Sequence, residues 1–384
     1  MEEPTAKRIR KTSTGFENNT VESYENPMDS NIYLNYDILR IVFRYLNVKE
    51  LERAAMVCRF WLKAANHEKY TRGPDCFIEH HLHFTDKTRF IEKSRIKPTI
   101  GFFFIPYKTL YGIHELIIKI LPSNCSAVML YTFGTIINER LELSDDTRVD
   151  DTEFRNIVCA LLPEIADVKI NSLILCTEYK QPGSLLVPSE LLLEFQNHVR
   201  KLIDMIKETP IPNQDESTCF IYLCNDLCNE FIHLSKPLLK AVQEYSGIDR
   251  ITSVWGGVMK WPLSTACFRV VLITGSIQSW SVVVDGRYTT EEQVTKKLRL
   301  FKNQVKLKKH SVGFIFSCLD RKNVLEKPDS TIFKTLFPEV SLVGCFDDKA
   351  VGKNTMDHEM GSRRDWEIDE QTTTFMLLTN HHTK

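Results

Sequence analysis

The chain has 384 residues, 43% of them hydrophobic, more than one core usually organises and enough apolar material for two or three domains. Lysine and arginine number 49 against 50 acidic residues, a formal net charge of −1, so no overall field draws the chain to nucleic acid or to an anionic membrane. The start lacks a basic-then-apolar secretory pattern and no apolar stretch approaches the ~20 residues that span a bilayer, which makes the cytosol or nucleus the expected compartment.

Residues 1–30 are rich in Glu, Asn, Ser, Thr and Lys and bury too little apolar surface to offset the entropy of ordering, so a disordered tail is expected. Its run Lys7-Arg8-Ile9-Arg10-Lys11 has the composition of a nuclear import signal, although such runs are more commonly just solvated charge. From Asn35, placed to cap a helix with Asp37 in its first turn, the pattern becomes amphipathic. Ile38, Leu39, Ile41, Val42, Phe43, Tyr45 and Leu46 cover an arc of roughly 200° on that helix.

A second helix is predicted after Asn47, carrying Leu51, Ala54 and Ala55, and a third carries Trp61, Ala64 and Ala65 at i, i+3 and i+4. Gly73-Pro74 stops it. Three short helices make a poor independent core, so the wide apolar arc calls for a partner.

Beyond Asp75 the texture is mixed α/β. Apolar runs predict strands at Thr99–Ile105, Ala127–Phe133, Cys219–Leu223, Phe268–Thr274, Trp280–Val284, Val312–Ser317 and Thr374–Leu378. Helical periods fall at Leu110–Leu121, Glu190–Lys207, Leu234–Tyr245, Glu291–Val305 and Ser330–Phe337. A pattern of helix end, proline and apolar strand recurs at Leu121-Pro122, Leu162-Pro163 and Phe337-Pro338 and suggests related α/β lobes.

Eleven cysteines at irregular spacing fit a reducing compartment without structural disulfides. Cys219, Cys224, Cys228 and His233 have the wrong spacing for common zinc sites, and strand alternation would separate the first two. His80, His81 and His83 lack a thiol or carboxylate ligand pair and read as surface residues. No Gly-x-Ser-x-Gly, P-loop or dinucleotide fingerprint is present, so neither a catalytic residue, a cofactor nor a metal is expected.

The series Leu34, Asp37-Ile38-Leu39, Ile41-Val42-Phe43, Tyr45-Leu46, Leu51, Arg53-Ala54 and Val57-Cys58-Arg59-x-Trp61 resembles the F-box family. Asn35 stands where the family has proline. The remainder resembles the FIST domain with its N-terminal and C-terminal halves, through Leu161-Leu162-Pro163-Glu164-Ile165, Trp255-Gly256-Gly257 and Gly313 to Arg321 followed by Phe333 to Phe346.

The resemblance implies an α+β protein: a disordered tail over 1–30, a three-helix F-box over 31–75, and a two-lobed mixed α/β FIST region, its first lobe at 76–262 and its second at 263–384. It implies a non-catalytic substrate receptor of a Skp-cullin-F-box ubiquitin ligase. The Skp adaptor is the direct partner, the cullin scaffold with its RING subunit an indirect one, and a protein target the cargo. Leu34, Ile38, Leu39, Val42, Phe43, Leu46, Leu51, Val57, Cys58 and Trp61 would carry adaptor binding, with Trp61, Phe43 and Cys58 the ones that could instead be core. A ligand-sensing module without a degradative role is the alternative.

FIST C-terminal halves carry Cys-x-Gly-Arg-Gly and a later glycine-rich loop. Here Cys318-Leu319-Asp320-Arg321-Lys322 lacks both glycines and the loop from Gly344 through Phe346 to Gly352 is filled with charge, which argues against a ligand-cradling backbone. Gly256, Gly257, Cys318, Arg321, Gly344 and Phe346 are the candidate substrate or ligand residues. Cys318 beside Arg321 would be a reactive thiol; the alternative is a packed thiol with a surface arginine.

Overall fold

The computed structural model describes residues 28–86, 90, 93–107, 109, 112–143, 156–178, 189–208, 216–225, 244, 251–259, 265–355, 367–369 and 371–380. The expected tail with its basic run, the helix expected at Leu234–Tyr245 apart from residue 244, and Cys228 with His233 lie outside them. Three helices lead: α1 Met28–Phe43, α2 Val48–Ala55 and α3 Arg59–Thr71. Helix α1 starts seven residues before Asn35, because no glycine or proline interrupts residues 28–35. Helix α2 begins after Asn47 as expected, and Asn47 caps it: its Oδ1 accepts from the Glu50 amide at 2.9 Å while Glu50 Oε2 accepts from the Asn47 amide at 2.8 Å.

Three sheets follow. The first has the order β1 (Asp75–His80), β6 (Asn156–Pro163), β2 (Pro98–Pro106), β3 (Ser126–Thr132). The second runs β15 (Glu367–Asp369), β14 (Lys349–Gly352), β9 (Ser253–Met259), β8 (Ser217–Asn225), β10 (Thr265–Gly275), β7 (Val168–Glu178). The third runs β11 (Gln278–Val284), β16 (Thr373–Asn380), β12 (His310–Cys318), β13 (Ser341–Asp347), β4 (Gly134–Ile137), β5 (Arg140–Leu143). Each sheet holds one parallel pair, β2 with β3, β8 with β9 and β12 with β13. Helices Ile113–Ile120 and Asp329–Leu336 lie in the first and third crossovers, since parallel neighbours need a long connection.

Side-chain alternation explains why these strands read as unbroken apolar runs. On β2, Ile100, Phe102 and Phe104 face a common core, while Phe103 and Ile105 face Ile113 and Ile117 of the covering helix. On β8, Cys219, Ile221 and Leu223 enter the common core, and Phe220, Tyr222 and Cys224 pack on Leu202 and Ile206 of helix Ser189–Glu208. On β12, Val312, Phe314 and Phe316 point inward, and Ile315 packs with Leu298, Phe301 and Phe333 of helices Glu291–Gln304 and Asp329–Leu336. The central strands of all three sheets are thus buried on both faces, one face shared and one covered by helix, while the edge strand β7 leaves Ile174 exposed. The shared core closes where the Phe102 and Phe314 rings meet edge-on at 5.1 Å and Trp255 reaches Phe314 at 5.5 Å.

Two expectations need correction. Leu161-Leu162-Pro163 is the end of strand β6 and not of a helix, because a doubly buried strand gives the same apolar run as a helix end. The boundary at 262/263 also does not divide the sheets. Strands β9 and β10 share a sheet across it, β14 and β15 return to the middle sheet, and the hairpin β4–β5 completes the third. Backbone hydrogen bonding therefore interleaves the two expected lobes. No helix among the described residues is long and apolar enough to cross a membrane.

Candidate adaptor-docking surface

The helical module has a small core: Phe43, Leu51, Ala54, Ala64 and Ala65, with Tyr36, Leu39, Leu46, Ala55 and Trp61 packed at its margin. The rings of Phe43 and Trp61 meet edge-on at 5.4 Å, and alanines on α3 let α2 approach closely. Phe43 and Leu51 are completely buried, so neither offers its side chain to an adaptor. That small core leaves part of the apolar arc uncovered.

That remainder forms the open face. Ile38 is 49% exposed and Val42 48%, with Ile41 beside them on α1, and Tyr45 in the turn that follows is 85% exposed. The turn between α2 and α3 adds exposed Met56, Val57 and Cys58. Of the residues expected to bind an adaptor, Ile38, Val42, Val57 and Cys58 are therefore exposed, while Leu39, Leu46 and Trp61 are half-buried at the core margin. The backbone of Leu34 lies in α1 and its side chain is outside the described residues. Ile41, Tyr45 and Met56 join the face without having been singled out; for Ile41 and Tyr45 the signal was their place on the 200° arc.

A polar clamp ties this module to the sheets. The Arg72 guanidinium, itself buried, donates through Nη2 to the Phe43 and Leu46 carbonyls at 2.8 and 2.6 Å, satisfying acceptors that the end of α1 leaves open. Its Nε meets Glu68 Oε1 at 3.1 Å and its Nη1 donates to the Arg95 carbonyl. Burial pulls the Arg72 guanidinium below its ordinary value, opposed chiefly by Glu68. Arg95 returns the bond with Nη2 to the Arg44 carbonyl at 2.9 Å, and the Val48 amide donates to the Ser94 carbonyl at 3.3 Å. The sequence offers only the Glu68–Arg72 spacing of i, i+4 as a hint of this clamp, because its other acceptors are main-chain carbonyls.

The other candidate cluster is packed interior. Gly256 and Gly344 lie opposite Tyr222 and Ile315 in parallel strand pairs, and a Cβ on either would stand 1.7 or 1.8 Å from the partner's carbonyl oxygen. A Cβ on Gly257 would meet the Phe316 ring at 2.3 Å. These glycines permit strand approach, so the space that a ligand would need is filled. Cys318 is fully buried and its Sγ accepts from the Ala350 amide at 3.1 Å; Phe346 packs in the third sheet's outer core.

Arg321 is not a surface arginine. It is 2% exposed, with Nε 2.8 Å from Asp329 Oδ2 and with Nη1 and Nη2 donating to the Asp285 and Tyr288 carbonyls at 3.1 and 3.0 Å. Those bonds use the guanidinium to brace the loops that carry Asp285, Tyr288 and Asp329. His81 is likewise buried in the 3-10 turn His81–Thr85 and not on a strand. Cys219 and Cys224 face opposite sides of β8. No group of three or more metal-ligating side chains occurs among the described residues.

No curated protein matches the chain. Among solved structures, cyanuric acid hydrolase from A. caulinodans is similar at a TM-score of 0.38 and 8% identity, covering 81% of this chain and 100% of that one. At that score the likeness carries no argument about fold or activity. Residues 33–72 match the F-box domain model, the span that holds the module's core, its open apolar face and Arg72, and these residues form an F-box domain.

Proposed function

We propose that the chain is the substrate-recognition subunit of a Skp-cullin-F-box ubiquitin ligase. F-box domains bind Skp adaptors within such complexes, and the observation that carries the reading here is the uncovered apolar face of Ile38, Ile41, Val42 and Tyr45 within the matched span. An apolar helix face laid into a partner's groove is a common mode of peptide-like docking. The Skp adaptor joins the chain to the cullin scaffold and its RING subunit, and the α/β region holds a protein target for ubiquitination and proteasomal degradation. The chain performs no chemistry in this reading. It accelerates transfer by holding a target lysine near a charged ubiquitin carrier, so that a bimolecular encounter becomes effectively intramolecular.

The finer reading of the α/β region is a FIST pair, as in the resemblance to F-box only protein 22, supported by the Trp255-Gly256-Gly257 and Gly313–Arg321 segments. The compartment proposed is the cytosol, the nucleus or both. Affinity purification under proteasome inhibition, comparing wild type with Ile38→Asp plus Val42→Asp, tests the function. Adaptor and cullin should co-purify with wild type alone, and proteins retained by both should accumulate in cells that carry only the variant. Retained proteins whose abundance is the same in both cells would point instead to a ligand-sensing module without a degradative role.

A further inference from the structure

A cleft of about 470 Å³ opens between helix Ile113–Ile120, strand β3 and the strands β7 to β10. It lies away from the F-box. Its walls include Met129, Leu223 and Met259, and its mouth carries Ile118 and Ile174, which are 60% and 48% exposed. Exposed isoleucines at the rim of a concavity are the arrangement that an apolar ligand would cover.

One cation lies in the wall. Arg269 of β10 donates through Nε to Ser172 Oγ at 3.2 Å and through Nη1 to the Ala127 carbonyl. Among the described residues no carboxylate pairs with it and none lines the cleft. A guanidinium has five donors, so among the described residues these two bonds leave the Nη2 edge for another acceptor. Burial pulls Arg269 down to about 10, with no acidic neighbour to oppose it, so it still carries its charge at neutral pH. Burial pushes Cys125 up to about 12 and raises Tyr131, keeping both neutral. The cleft therefore offers an apolar body and a single forked cation, which is the complement of a carboxylate.

We infer that this cleft binds a small carboxylate with an apolar body, the carboxylate on the free edge of Arg269 and the body against Met129, Leu223 and Met259. The inference stands apart from the ubiquitin-ligase reading, since it uses no residue of the F-box. The volume suits a small organic acid, and the same chemistry is offered by the carboxyl end of a peptide whose last side chain is apolar.

Calorimetric titration of the full chain tests this with four probes: 4-phenylbutyrate, its amide, and an acetylated tripeptide ending in leucine as free acid and as amide. The better of the two acids should bind at least about tenfold more tightly than its own amide, because only the acid engages the guanidinium fork. Which acid is the tighter tells a free small acid from a chain end. Arg269→Gln should erase that preference, and Ile118→Glu, at the exposed mouth, should weaken the acid about tenfold by repulsion while leaving the amide little changed. If Arg269→Gln fails to fold, Ile118→Glu decides. Absence of binding by both acids, equal binding of acid and amide, or an acid preference that survives the substitutions overturns the inference.

Discussion

Replacing Ile38 and Val42 together by aspartate should abolish adaptor binding while leaving the protein folded. Each side chain is about half exposed in the free chain, so roughly half of the 1.5–3 kcal/mol available from burying an aliphatic side chain is still to be gained, about 1 kcal/mol apiece. Placing two carboxylates in that contact adds about 1–3 kcal/mol for each group left desolvated without a partner. The combined loss is therefore on the order of 4 kcal/mol or more, several hundredfold in affinity. The cost to folding is smaller, about 1–2 kcal/mol, because neither residue belongs to the buried core.

Titration calorimetry against the purified Skp adaptor, beside a circular dichroism melt, reads both quantities. Leu39 is a poor choice for the same test, since it packs at the core margin. Phe43→Ala is the contrasting control: that ring is fully buried, and removing it should cost about 3–5 kcal/mol of folding stability. A folded double variant whose affinity lies within about threefold of wild type would refute the docking geometry.

Three further outcomes follow from the packing. Arg72→Met leaves the Phe43 and Leu46 carbonyls and Glu68 without their shared donor, and should cost about 3–5 kcal/mol, seen as a lower unfolding temperature and faster proteolysis after α1; an unchanged melt would contradict the clamp. Alkylation of the native protein should modify exposed Cys58 well before buried Cys159, Cys219, Cys318 and Cys345, and peptide mapping showing Cys318 first would restore the reactive-thiol reading. Burial raises the Glu79 carboxyl, but Lys93 at 2.6 Å and His83 more than offset it and leave it below its ordinary value. A carboxylate depressed in the folded state stabilises above its unfolded value of about 4.3 and loses that contribution as the pH falls through the lower folded one. Glu79→Gln should accordingly flatten the acid limb of a Tm–pH curve below about 4.3, and superposable limbs would contradict the assignment.

Much of the fold was legible because its strands are buried twice over. Val312–Ser317 and Phe268–Thr274 stand out as apolar runs since one face meets the shared core and the other a helix or outer cluster. The same property misleads at Leu161-Leu162-Pro163, where composition cannot tell strand from helix. Sheet membership was hidden for a different reason: that Gly134–Ile137 pairs with β13 some two hundred residues later is a long-range choice that no local pattern encodes.

The open apolar face was legible in outline, because an arc wider than its core requires shows up as periodicity. Which members are core and which are open was not, since Phe43 and Val42 are neighbours in sequence and differ only in what packs beneath them. Arg72, Arg269 and Arg321 were illegible as partners. Much of what each guanidinium holds is main-chain carbonyl, which leaves no mark in the sequence, and the side chains of Ser172 and Asp329 meet their arginines only through the fold.

The junction at Arg72 and Arg95 bears on more than stability. Main-chain carbonyls on both sides of the α1 turn are held by two guanidiniums, and the adjoining α2 start is held by Ser94. A partner seated on the open face would therefore be oriented by the sheets behind it, like a tool held in a vice and not on a string. Reach would come from flexibility in other subunits or in the cargo. In a ligase of the kind proposed, rigid presentation would favour lysines at a particular angle and distance over lysines that are merely nearby, so a hinge introduced at this turn would broaden the set of sites marked on one target before it altered which targets are bound.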